Sequence, residues 1–306
     1  SPDGSVTFAV KLEPREARTI ELTVTPVIAG ERAPEPMPRD EALRRLDASY
    51  RGWEQASTSV DSDHAIYNRL YQRGMLDLWM LLTDLGHGPF PVAGLPWYAV
   101  PFGRDSLIAA LQMLLANPEV ALGTLRTMAA YQGSKVDPWR DETPGKIMHE
   151  IRYGELANTN QIPFTPYYGS VDATPLFIAL AVEYCRWTGD IEAIRGLLPA
   201  LERALKWLDE SGDLDGDGFV EYHSESSGGI SNQGWKDSGD SIVHASGDFA
   251  QTPIALAEVQ GYVYRAKTGM AEIFRRLGRN DDAEALERSA EAMRQKFEQS
   301  FWMADE

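Results

Sequence analysis

ATPLFIALAVEYCRWTGDIEAIRGLLPALERALKWLDE, residues 173–210, holds two helices of different character joined by a tight turn. PLFIALAVEYC is apolar nearly all round, the pattern of a helix buried on every side. EAIRGLLPALERALKWLDE has one charged face and one apolar stripe, the pattern of a helix that covers a core from outside. Working outward, SLIAALQMLLA (106–116) and TPIALAEVQGYV (252–263) repeat the first type, and DDAEALERSAEAMRQKF (281–297) repeats the second. The periodicity predicts helices near 62–85, 104–116, 118–133, 173–188, 191–211, 249–277 and 281–301. Asn117-Pro118 and Thr174-Pro175 each supply a cap and a first-turn proline, and Asp281 with Glu284 is a candidate capping box.

The connections between these helices alternate. Residues 86–103, 134–172 and 212–248 are long, and tight turns separate the other pairs. Successive antiparallel helices reverse direction, so every second connection falls at the same end. All three long loops then share one face. Long structureless segments are uncommon in a compact domain unless they carry function. Alternating inner and outer helices describe an all-α, double-layered α/α toroid of the (α/α)6 kind, here roughly its first half. A solenoid of helix pairs is the competing architecture, but the sequence shows no repeat.

The first thirty residues differ. VTFAVKL and RTIELTVTPV alternate apolar and polar residues, and predict two strands at the end of an N-terminal β-domain over 1–30. GERAPEPMPRD is a Pro-rich linker, and RDEALRRLDASYRGWEQA a connecting amphipathic helix, together spanning 31–61. Residues 62–306 form the first part of the toroid domain. The chain starts without Met and stops with helical pattern still running, so it reads as cut from a longer polypeptide.

Net charge is −17, which argues against nucleic-acid binding, whose footprint is a basic stripe, and leaves uncharged ligands open. No run approaches the ~20 apolar residues that span a bilayer. The single cysteine, Cys185, lies among apolar residues and reads as a buried structural thiol. With no disulfide available, a reducing, cytoplasmic setting is expected.

The first long loop ends in PFGRDSL, which delivers Arg104 and Asp105 to the start of a buried helix, behind Trp97 and Tyr98. An Arg–Asp pair can bind vicinal hydroxyls and the aromatic rings can stack on a sugar. Equally, Asp105 can cap the helix with Arg104 as its surface partner. In the second loop, His149-Glu150 matches the start of HExxH, but Tyr153 stands where the second His belongs, which argues against a zinc protease. Tyr167, Tyr168 and Asp172 lie where this loop re-enters the helices, Asp172 as a ligand contact or as part of a cap.

In the third loop, Asp213, Asp215 and Asp217 before Gly218 match the front of a calcium loop, without the Glu at its twelfth position, where Ser224 stands. The same spacing makes an Asp/Gly turn that needs no ion. Further on, NQGWKDSGD places Asp237 and Asp240 beside Trp235 and Lys236. Glycoside cleavage needs one protonated carboxyl and a second carboxylate, and an apolar neighbour or like charge raises a carboxyl pKa. Solvated loop aspartates would look the same.

Taken together, WYAVPFGRDSL, GKIMHEIRYGEL, YYGSVDATPLF and NQGWKDS resemble the amylo-α-1,6-glucosidase domain of glycogen debranching enzymes. More widely, they are similar to the glucoamylase and processing α-glucosidase group of six-hairpin glycosidases. The resemblance implies an inverting hydrolase of α-glucosidic, α-1,6 bonds in glycogen-like glucans, with no cofactor. Asp237 falls where the general acid stands, Arg104 and Asp105 where the terminal glucose binds. Trp97, Tyr98, His149, Glu150, Tyr168, Trp235 and Lys236 become substrate neighbours. The catalytic base is expected beyond residue 306, so the remainder of the polypeptide is needed to complete ring and site. Rival readings are another α-glucosidase or disaccharide hydrolase on the same fold, or a non-catalytic glycan-binding protein. A toroid transferase or cyclase lacks its Asp-rich or Cys/His motif here.

Overall fold

Helices start and stop in this protein where short-range chemistry directs, and the clearest case is residues 189–190. Gly189 adopts the left-handed conformation (φ 73°) and its N–H closes the preceding helix on the Cys185 carbonyl at 2.9 Å. Asp190 then accepts the Ala193 amide hydrogen at 2.9 Å and opens the next. A glycine for the C-terminal turn and an aspartate for the N-cap leave almost no connection between two long helices.

The structure is a computed structural model describing residues 5–25, 27 and 35–303, in two units, Ser1–Gln55 and Ala56–Glu306. In the first, α1 (Arg39–Ala56) forms as expected, with Glu41 paired to Arg44 and Arg45 one turn on at 2.7 Å each. The predicted strands do not form. Among the described residues of 5–27 there is a turn but no strand, and Val6, Phe8, Val10, Leu12, Ile20, Leu22 and Val24 are all exposed. Alternation makes a strand only against a partner and a core, and the described residues of 5–27 pack against neither. Pro26 and residues 28–34, which include the start of the linker, lie outside the described residues.

The second unit contains α2 (Ala65–Met80), α3 (Gly103–Met113), α4 (Pro118–Ala130), the single turn α5 (Glu155–Asn158), α6 (Ala173–Thr188), α7 (Ile191–Glu210), α8 (Ala257–Arg276) and α9 (Asn280–Ser300). They pack in two rows: α3, α6 and α8 touch in succession, α4 lies against α3 and α6, α7 against α6, and α9 against α8. Helix α6 buries twelve residues, among them the fully enclosed Phe177, Ile178 and Leu180. Each such side chain contributes about 1.5–3 kcal/mol of burial. Helices α7 and α9 bury one stripe, as their sequences require. Cys185 is buried and burial pushes its thiol pKa up, consistent with a structural thiol. Among the described residues no helix is long and apolar enough to cross a membrane.

Some expected boundaries move, each for a local reason. A hairpin, β1 (Leu82–Asp84) with β2 (Pro89–Pro91), follows α2, because Asp84 Oδ1 accepts the amide hydrogens of Gly86, His87 and Gly88 and folds the chain back. Helix α8 begins at Ala257 rather than near 249, since Ile254 exchanges both backbone hydrogen bonds with Tyr222 (3.1 and 3.2 Å). Asn117 caps α4 as predicted, accepting from Glu119 N–H. Thr174 caps nothing; its hydroxyl accepts the buried Ile147 amide hydrogen at 2.9 Å. Nor does a capping box form at α9, whose first turn has no side-chain cap.

The long connections 81–102, 131–172 and 211–256 alternate with the short ones 114–117, 189–190 and 277–279. Hydrogen bonds join the long ones to one another, Ile151 N–H to the Pro101 carbonyl and Val171 N–H to the Gln233 carbonyl. They lie together at one end of the helices.

Candidate active site

Residues 101–103 run extended into α3 and pair with the second long loop. Gly103 N–H donates to the His149 carbonyl at 2.7 Å, and Phe102 and Tyr167 both bridge antiparallel to Glu150. This approach requires glycine: a Cβ on Gly103 would stand 2.1 Å from the Met148 carbonyl oxygen. The first turn of α3 is thereby held against the second loop, and Arg104 follows at once.

Arg104 does not pair with Asp105. Its Nη1 lies 3.0 Å from Oδ2 of Asp172, and its Nη2 lies 3.7 Å from Oδ2 of Asp237. Asp172 stands at the head of α6 with a side chain only 2% exposed, makes no cap bond, and accepts the Ser170 hydroxyl at 2.6 Å. Asp237, with its side chain 52% exposed, faces solvent beside the guanidinium. One arginine therefore connects the beginnings of α3 and α6 to the third loop. Asp240 lies on the exposed turn after Asp237.

Glu150 is buried next to this group. Burial raises its carboxyl pKa, the negative charges of Asp105 and Asp237 push the same way, and the hydrogen bond and charge of Arg152 oppose them. A buried carboxyl among like charges is the environment that favours the protonated form. The Arg152 guanidinium bonds Glu150 at 2.9 Å, donates to the Trp97 carbonyl at 3.0 Å, and lies over the rings of Tyr98 (5.6 Å) and Phe102 (5.4 Å). His149 packs edge-to-face between Phe102 and Tyr167. Burial, followed by the cations Arg104, Arg152 and Lys146, pushes its pKa down to about 3, so its imidazole is neutral at ordinary pH. Its Nδ1 has no hydrogen-bond partner among the described residues.

Aromatic faces surround the cluster. Trp97 is 80% exposed and Tyr98 53% exposed, and Trp235, also open to solvent, carries the Lys236 ammonium 5.5 Å from its ring centroid. Exposed rings beside ionic groups suit a ligand that is apolar on its faces and polar at its edges, as a pyranose is. Tyr168 differs from expectation: it is buried, with its hydroxyl committed to the Tyr131 carbonyl at 2.9 Å.

The Asp-rich turn stands apart from this cluster. Carboxylate oxygens of Asp213, Asp215 and Glu221 lie within 4.8 Å of one another, while Asp217 pairs with Lys296 at 3.5 Å. Asp213 accepts the amide hydrogens of Gly216 and Gly218, and Asp215 that of Asp217, so backbone bonds hold the turn.

Sequence reasoning passed over Arg152, Gln233 and Tyr262. Tyr262, on α8, feels the charges of Asp172 and Arg104, and burial raises its pKa. Its spacing is that of a core helix, and nothing local marks it. The HEIR stretch already held Arg152 beside Glu150, the one available signal.

What the arrangement offers chemically is a solvent-facing carboxylate, a fixed guanidinium and open aromatic faces at one end of a helical array. No match to a curated protein is found. The model of the mannosylglycerate hydrolase MGH1-like glycoside hydrolase domain matches residues 102–306, well over half of the chain and all of the helices from α3 onward. The protein belongs to this MGH1-like glycoside hydrolase family.

Proposed function

We propose that the helical unit is part of an (α/α)6 toroid that cleaves an α-glycosidic bond with inversion, with Asp237 as proton donor. The observation that carries this reading is Arg104 bound to buried Asp172 and reaching solvent-facing Asp237. The guanidinium orients the sugar's hydroxyls, Asp105 accepts from them, and Trp97, Tyr98 and Trp235 supply stacking faces. On the resemblance, the carboxylate that activates water comes from a segment following residue 306. An inverting pair is separated by about 6.5–9.5 Å to admit that water.

Two substrates merit direct comparison. The family's name points to mannosylglycerate, and the four sequence segments resemble those of α-1,6-glucosidases. Sugar release from mannosylglycerate and from an α-1,6-linked glucan should be measured on the full chain, wild type against Asp237→Asn. General acid catalysis contributes about 10²–10⁴-fold, and kcat is expected to fall by that much. Near wild-type hydrolysis by Asp237→Asn removes the acid assignment. A wild type that binds these sugars and cleaves neither favours a glycan-binding protein.

A further inference from the structure

One buried carboxylate joins two of the long loops and has no part in the chemistry above. Asp141 follows the 3-10 turn Pro138–Arg140 in the left-handed conformation, φ 50°, and is 6% exposed. Its Oδ1 accepts the amide hydrogens of Glu225 (2.8 Å) and Ser226 (3.1 Å). Its Oδ2 accepts the Tyr167 hydroxyl (2.8 Å) and the Gln233 side-chain amide (3.1 Å), with the Ser224 hydroxyl at 3.4 Å. Four of these five donors belong to the third loop. Donors at both oxygens suit a carboxylate; an amide in its place would aim N–H groups at other donors.

The bonds continue to the reacting group. The Tyr167 oxygen accepts the Ile230 amide hydrogen at 3.0 Å, and a Cβ on Gly229 would lie 2.3 Å from that oxygen. Gln233, wholly buried, accepts the Val171 amide hydrogen on its carbonyl at 2.9 Å. Val171 precedes Asp172, the partner of Arg104. Past Gln233, the turn bearing Asp237 is closed by Asn232, whose Nδ2 donates to the Ser238 carbonyl at 2.6 Å. Asp141 thus holds the near end of the segment whose far end presents Asp237.

We propose that Asp141 is a positioning residue that sets the third loop, and through it Asp237, against Arg104. The inference rests on the acid role given to Asp237. The rings of Trp97 and Tyr98 that would stack on the sugar stand on the first loop, outside the hydrogen bonds that Asp141 makes. Its loss therefore acts on the chemical step more than on binding.

The test uses the full chain. Asp141→Asn keeps volume and removes one acceptor. It is expected to retain helical circular dichroism and to speed hydrogen exchange at Glu225, Ser226 and Ile230 while leaving α6 and α7 unchanged. It should lower kcat at least tenfold with KM within about threefold. In Asp141→Gly, added formate is expected to restore both loop protection and kcat by refilling the carboxylate's place. Unchanged loop exchange overturns the proposal, as does a loosened loop with kcat within twofold of wild type. If Asp141→Asn does not fold, Tyr167→Phe, which removes one of the five donors, is expected to give the same pattern more weakly, and its absence overturns the proposal equally. Should the wild type cleave no glycoside, the acid assignment falls on its own, and exchange alone decides whether Asp141 holds the loop.

Discussion

Arg104 and the buried Asp172 form a part-buried ion pair at 3.0 Å across 68 residues of sequence, and the pair sits where α3 and α6 both begin. Asp172 has the Ser170 hydroxyl and this guanidinium to balance its charge. One edge of the guanidinium is thus held by a structural carboxylate, and its other edge is turned to Asp237 and to any ligand. A planar fork suits this double duty in a way that a point charge does not.

Removing the arginine should therefore damage both stability and function. Arg104→Met leaves Asp172 buried without its cation, a loss of about 3–5 kcal/mol for breaking a buried pair. Arg104→Lys keeps the charge but not the fork, so it should lose less stability while kcat/KM still falls. Urea denaturation of both variants, with sugar release measured alongside, checks this. A loss below about 1 kcal/mol in Arg104→Met would show that Asp172 finds another partner.

His149 gives stability a definite pH dependence. Its folded pKa, about 3, lies below the ordinary histidine value of 6.5, so the unfolded chain binds the proton more readily. The contribution is full above 6.5 and is lost as pH falls toward 3, with a slope near ~1.4 kcal/mol per pH unit. Glu150 acts in the opposite sense: its raised pKa favours the fold at low pH, a contribution lost as pH rises through its folded value. The difference between wild type and His149→Phe isolates the histidine. Stability curves that stay parallel between pH 6.5 and 4 would contradict a neutral buried imidazole.

Trp97 separates binding from folding. At 80% exposed it has little packing to lose, and Trp97→Ala is expected to change stability by no more than ~0.5 kcal/mol. Stacking on a sugar face is worth about 0.5–1.5 kcal/mol, so KM for the cleaved glycoside should rise by about two- to tenfold. Thermal unfolding and steady-state kinetics on the same sample measure both. An unchanged KM would place the substrate elsewhere on this face.

The sequence by itself determined the character of each helix and the alternation of long and short connections. Apolar periodicity, Gly189 and the caps at Asn117 and Asp190 act within a turn or two of chain, so they are readable locally. From that alternation alone followed the grouping of the loops at one end. At residues 6–25 the alternation is present and no strand forms among the described residues, because alternation becomes a sheet only against a partner strand and a core. Tertiary structure decided the site. Arg104 prefers Asp172 to its neighbour Asp105, Tyr168 turns inward, and Asp141 gathers donors up to 92 residues away. Such partners are chosen by which loops the fold brings together and which charges it takes out of water, and no local pattern encodes either.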